Sequence, residues 1–105
     1  MNLKDEILLR IKHSVLANEP GATIILYGSY ARGDNKKDSD IDILILLDRE
    51  KVSRDEEKRI TYPLYDIEFD TGRIISPLVF SRSDWTTRHK VTPFYQNIQS
   101  EGREL

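Results

Sequence analysis

The residues best suited to chemistry are two acids one residue apart, Asp40 and Asp42, in the run Ser39-Asp40-Ile41-Asp42-Ile43-Leu44-Ile45. On an extended strand, residues two apart project to the same side with Cα atoms ~6.6 Å apart, so their carboxylates repel each other. A divalent cation relieves that repulsion. Mg²⁺ in particular takes one or two carboxylates and completes its shell with water and phosphate oxygens. Upstream, Gly28-Ser29 closes a short apolar run, and ten residues separate it from Asp40. A glycine there lets backbone N–H groups approach a bound anion. Ser29 adds a hydroxyl at the start of a helical turn whose dipole favours negative charge. A phosphate seat beside a Mg²⁺ seat is the minimum equipment for phosphoryl or nucleotidyl transfer.

Positioning these groups requires particular elements. Residues 22–27 (ATIILY) are continuously apolar and β-branched, which predicts a strand covered on both faces and ending at Gly28. Residues 39–47 (SDIDILILL) predict a central strand with acids only at its near end. Before them, Ile7, Leu8, Ile11 and Val15 recur at helical spacing over residues 2–18, with Asn2 as N-cap and Pro20-Gly21 as the stop. Residues 53–70 read two ways. Ile60, Leu64 and Ile67 line one helical face behind a Ser53/Glu56 capping box, whereas Tyr65, Ile67 and Phe69 alternate with Asp66, Glu68 and Asp70 as in a strand. The helix is favoured despite Pro63. Residues 73–81 (RIISPLVFS) predict a strand whose Pro77 suggests an edge or a bulge. A last helix is expected from Ser83 or Asp84, interrupted at Pro93, before a polar tail. The whole is expected to be one domain, residues 1–105, with a core over about 5–90 and a tail, 91–105, open to ordering by a partner.

Several function classes are excluded. The absence of Cys removes thiolate catalysis, Cys-based zinc sites and disulfides, and His13 and His89 have no metal spacing. With 16 basic against 18 acidic residues, and basic side chains scattered, general nucleic-acid binding is not expected. Gly28 and Gly33 have P-loop glycine spacing, but Asp34-Asn35 stands where Lys-Ser/Thr is required. A two-carboxylate glycosidase needs acids on opposite sides of a bond, and Asp40 and Asp42 point the same way. An acidic N-terminus and no long apolar run predict a cytoplasmic protein without a membrane span. Other readings are ordinary. Arg32 either contacts phosphate or pairs with Asp34 or Asp38, Lys36 and Lys37 are solvated loop charges, and His89 is an exposed member of a basic cluster. Trp85, Tyr62, Tyr65 and Phe69 are core or interface material.

The combination of GSYARG (28–33) and SDIDILI (39–45) resembles the nucleotidyltransferase superfamily that includes DNA polymerase β, and within it the minimal nucleotidyltransferases. The matched residues are Gly28, Ser29, Arg32, Gly33, Ser39, Asp40 and Asp42. The resemblance implies an α/β (α+β) palm fold, a small mixed sheet flanked by helices. It implies Mg²⁺ on Asp40 and Asp42, an NTP, most naturally ATP, held by Gly28, Ser29, Arg32 and Ser39, and transfer of a nucleoside monophosphate to an acceptor hydroxyl. Stand-alone domains of this size resemble the antitoxins that pair with HEPN-domain toxins and modify them, which implies a protein partner; the acceptor site must be completed by that partner or by a second copy. The chain departs from the family in one respect. Fully active members carry a third carboxylate on a following strand, and residues 73–81 contain none. The position falls near Ser76 or Pro77 unless Asp66, Glu68 or Asp70 supplies the acid. The alternative is therefore a catalytically weak or inactive fold that binds a nucleotide or neutralises a partner.

Overall fold

Strand β2 (Ile41–Leu47) is the centre of the molecule because both of its faces are apolar, and the computed structural model buries every residue from Ile43 to Leu47. The structure describes the backbone of residues 3–105 and the side chains from residue 6 onward. Helix α1 (Leu3–Asn18) begins beside the expected N-cap, Asn2, which lies outside the described residues. Then follow β1 (Thr23–Tyr27), a single turn α2 (Ser29–Arg32), β2, α3 (Arg54–Thr71), β3 (Ile75–Ser81), α4 (Arg82–Thr87), α5 (Pro93–Glu101) and β4 (Arg103–Glu104). The sheet order is β3-β2-β1-β4, with β1 antiparallel to β2 and β4, and β2 parallel to β3.

Alternation along the strands makes two cores. One face directs Ile24 and Leu26 of β1, Ile41, Ile43, Ile45 and Leu47 of β2, and Ile75 and Val79 of β3 against Ile7, Ile11 and Val15 of α1 and Ile60, Leu64 and Ile67 of α3. On the other face Leu44 and Leu46 meet Trp85 of α4 and Ile98 of α5, with Ile25, Tyr27, Phe80 and Phe94 around them. Each fully buried aliphatic side chain contributes about 1.5–3 kcal/mol, so burial holds helices against both faces of the sheet.

The ambiguous segment is a helix. Its capping box forms as expected, with Glu56 N–H donating to Ser53 Oγ at 3.1 Å and Ser53 N–H to Glu56 Oε1 at 3.2 Å. Gly72, at φ 71°, closes its C-terminus. The helix runs through Pro63 although an interior proline, lacking its N–H and crowding the preceding turn, costs about 3 kcal/mol or more, because the buried Ile60, Leu64 and Ile67 hold both halves to one sheet face. Pro77 sits in β3, an edge strand. Ile41 N–H donates to Ile74 C=O, so in a parallel ladder the polar groups of Ile75, Pro77 and Val79 point to the open edge. Pro77 has no donor to leave exposed there, and the Ile75 N–H donates to Glu68 Oε1 at 2.7 Å. The edge is thereby closed to further strand pairing where it adjoins the acids.

The C-terminal residues pack against the chain's own sheet. Pro93 is the first residue of α5 rather than an interruption, a position where its fixed φ suits helix entry, and Thr92 Oγ1 caps the helix by accepting from Tyr95 N–H at 3.1 Å. Gly102 packs so tightly that a Cβ would lie 2.8 Å from the Ile25 side chain. Beyond it β4 pairs with β1. His89 is not exposed as the basic run suggests, since its ring stacks on Phe80 at 4.4 Å. No helix among the described residues is long and apolar enough to cross a membrane.

Candidate active site

The acids and the glycine turn meet at one end of the sheet, on the face shared with α4 and α5. Strand registry aligns Tyr27 of β1, Asp42 of β2 and Ser76 of β3 in one row. Gly28 leaves β1 with φ 74° and ψ −155°, a region essentially reserved for glycine. The close approach explains the residue. A Cβ on Gly28 would lie 2.5 Å from Asp42 Oδ2, so the carboxylate occupies the space beside the bare Cα. Ala31 and Arg32 N–H groups both donate to Gly28 C=O, folding α2 over the strand end, and Ser29 opens that turn.

Asp40 is not in the strand, contrary to the expected boundary at Ser39. Ser39 N–H donates to Lys36 C=O and Ser39 Oγ accepts from Lys36 N–H at 2.8 Å, making a turn that delays strand pairing until Ile41. Asp40 is therefore exposed just before β2, where Ser76 Oγ donates to its Oδ2 at 3.4 Å. Its proximity to Asp42 is electrostatic as well as geometric. Burial, then the charge of Asp40, push the Asp42 carboxyl above its ordinary pKa, while the Arg32 guanidinium acts in the opposite direction. Tyr27 is pushed up to about 12, first by burial and then by Asp42.

Arg32 follows one of its two expected readings, the pairing with Asp34. Its Nε donates to Asp34 Oδ2 at 3.2 Å and its Nη1 to Glu101 Oε1 at 3.2 Å, so it is ion-paired, yet it lies close enough to influence Asp42. The link to Glu101 is a contact the sequence reading missed, because nothing local connects residue 32 to residue 101.

The three acids named as alternatives for the third carboxylate stand elsewhere. Glu68 caps Ile75 N–H, Asp70 pairs with Arg10 at 3.0 Å, and Asp66 lies on the exposed side of α3. Opposite Asp42 stands Ser76. Among the described residues no group of three His, Cys, Asp or Glu side chains converges as a metal cage. A pair of like-charged carboxylates, one of them part-buried and holding its proton more tightly, nevertheless suits a divalent cation that brings phosphate and water ligands with it. A concavity of about 370 Å³, lined by Asp48, Arg49, Arg82 and Thr86, lies at the opposite end of β2 from the acids.

A mixed sheet with helices on both faces, a glycine turn at the end of β1 and paired acids at the start of β2 define a nucleotidyltransferase-type domain. The profile of the family described as "Nucleotidyltransferase domain" matches residues 8–90, and the chain belongs to that family. It is 31% identical over 83 residues to a protein of Methanocaldococcus jannaschii provisionally named a protein adenylyltransferase, a match covering 78% of this chain and 76% of that one. Its fold is similar to a chain in a crystal structure described as a toxin-antitoxin with AMP-PNP, with a TM-score of 0.64 and 18% identity over 97% of this chain and 72% of that one.

Proposed function

We propose that this domain transfers a nucleoside monophosphate, AMP in particular, from Mg·ATP to a hydroxyl group on a protein partner. The observation that supports the reading is the close approach of the Asp42 carboxylate to Gly28, which brings the glycine turn next to the acid pair. In this reading Asp40 and Asp42 hold Mg²⁺, which when bound neutralises charge on the triphosphate oxygens. Gly28 lets the backbone approach those oxygens, Ser29 donates its hydroxyl to them, and Arg32 offers a guanidinium at the rim. Ser39 fixes the turn that presents Asp40. The acceptor oxygen attacks the α-phosphorus and gives up its proton to water as the bond from the α-phosphorus to the oxygen bridging it to the β-phosphorus breaks, and pyrophosphate leaves. The similarity to the M. jannaschii protein supports a protein acceptor, and the likeness to a toxin-antitoxin chain is compatible with an antitoxin that modifies a toxin, including one of the HEPN class.

A second reading is favoured by Ser76 standing opposite Asp42. With two carboxylates the domain can bind Mg·NTP and a partner while turning over slowly. Incubation with α-labelled ATP, Mg²⁺ and the product of the adjacent open reading frame separates the two. Label on the partner that disappears with Asp42→Asn supports transfer; tight Mg·ATP binding without label supports the binding-only reading. Absence of Mg·ATP binding by the unaltered protein refutes both.

A further inference from the structure

Helix α3 carries two apolar stripes on opposite sides. Ile60, Leu64 and Ile67 face the sheet and are buried, as expected of a surface helix. On the far side, where polar residues belong, Tyr62 is 54% exposed, Tyr65 50% and Phe69 91%. The rings of Tyr62 and Tyr65 lie 5.8 Å apart and form a ready-made pad. Spacings of four, three and four from Lys58 through Tyr62 and Tyr65 to Phe69 are those of a helix-pairing seam. The remaining aromatic side chains whose surroundings are given, Tyr27, Tyr30, Phe80, Trp85, Phe94 and Tyr95, belong to one core or the other. A grouped aromatic stripe of this kind marks an interaction surface.

We propose that this stripe is the interface of a homodimer in which two α3 helices pack antiparallel about a two-fold axis between Tyr62 and Tyr65. Charge along the stripe selects both the occupant and its direction. Lys58 stands at one end, Asp66 flanks the other, and neither has an ion-pair partner among the described residues. In the antiparallel pair Tyr62 packs on Tyr65 of the second copy. Residue 66 of that copy lies level with residue 61 of the first, about 4.5 Å along the axis from Lys58 at 1.5 Å rise per residue, within reach of a lysine side chain. A parallel pair would instead set Lys58 against Lys58 and Asp66 against Asp66. Such a contact is isologous and closes at two copies. A single helix pair is a small interface, so the dimer is reversible and forms with rising concentration. Because α3 covers the sheet face opposite Asp42 and Ser76, dimerisation leaves both acid sites open, and the inference stands independently of the function proposed above.

Sedimentation velocity over a concentration series tests it. The unaltered protein is expected to move from 12.3 kDa towards twice that mass. Phe69→Asp abolishes the shift while leaving the circular dichroism spectrum unchanged, since the side chain it replaces is exposed. Lys58→Glu and Asp66→Lys each weaken association several-fold, and the double variant Lys58→Glu/Asp66→Lys restores it. A protein that remains monomeric up to near-millimolar concentration overturns the proposal, as does a dimer indifferent to Phe69→Asp. A double variant no better than the single ones overturns the antiparallel arrangement.

Discussion

Replacing Gly28 by alanine tests the union of turn and acids most directly. Two penalties are expected, and they act on different properties. The first is conformational: φ 74° with ψ −155° is nearly inaccessible to a residue with a Cβ, at a cost of about 1–3 kcal/mol. At about 4–8 °C per kcal/mol for a domain of this size, the melting temperature falls by roughly 5–20 °C. The second is steric. The new Cβ meets Asp42 Oδ2 at 2.5 Å, and a carboxylate can retreat to ordinary contact at 3.4 Å by moving 0.9 Å, the difference of the two. That spares the fold but carries the proposed metal ligand well beyond the roughly ±0.2 Å tolerance of a coordination site, so Mg·ATP affinity should fall by at least about tenfold. Gly33→Ala is the control. Gly33 has φ 81° and ψ 9° with open space around its Cα, so it should cost about 1–2 kcal/mol and leave Mg·ATP binding intact. Urea unfolding and titration calorimetry on the three proteins provide both readouts. A Gly28→Ala protein that binds Mg·ATP like the unaltered chain, or that loses no stability, refutes the reasoning.

The raised Asp42 pKa has a definite sign for stability: the folded state binds this proton more tightly than the unfolded chain, so its contribution is lost as pH rises from the ordinary carboxylate range through the raised value. Asp42→Asn should therefore melt higher than the unaltered protein at neutral pH while losing the stabilisation by Mg²⁺ with ATP; a lower melting point contradicts the assignment. Ser76→Asp places a carboxylate opposite Asp42 and should raise label transfer from ATP in the presence of acceptor, as read by a transfer assay, with no gain if Asp42 is also changed to Asn. Glu68→Gln weakens the cap on Ile75 N–H and should lower stability by about 1 kcal/mol in urea unfolding, with Mg·ATP affinity unchanged. If Glu68→Gln instead abolishes binding, the third carboxylate has been misplaced. Trp85→Ala removes the centre of the second core and should cost about 3–5 kcal/mol in the same measurement.

Much of the site was legible in the sequence because its parts lie within fifteen residues. Gly28 through Asp42 span one strand end, one turn and one strand start, and local chemistry explains each. The two strands and the α3 capping box were equally readable, since continuous apolar runs and caps are written in neighbouring residues. Strand boundaries were less so. Asp40 fell outside β2 because a hydrogen-bonded turn at Ser39 and Lys36, not side-chain type, decides where pairing begins.

Composition and local pattern thus determined the class of chemistry, the apolar strands and the helices that cover them. Tertiary structure decided everything that depends on register or on distance along the chain. Only the pairing of β2 with β3 brings Ser76 to the level of Asp42, and only the helix-sheet packing assigns Glu68 to the edge of β3. The same packing turns Ile60, Leu64 and Ile67 inward and leaves Tyr62, Tyr65 and Phe69 outside, a choice that two apolar stripes on one helix cannot make by themselves. The C-terminal residues, polar in sequence, reach the sheet because Gly102 fits against Ile25 and lets β4 pair with β1; that fit exists only after the sheet has formed.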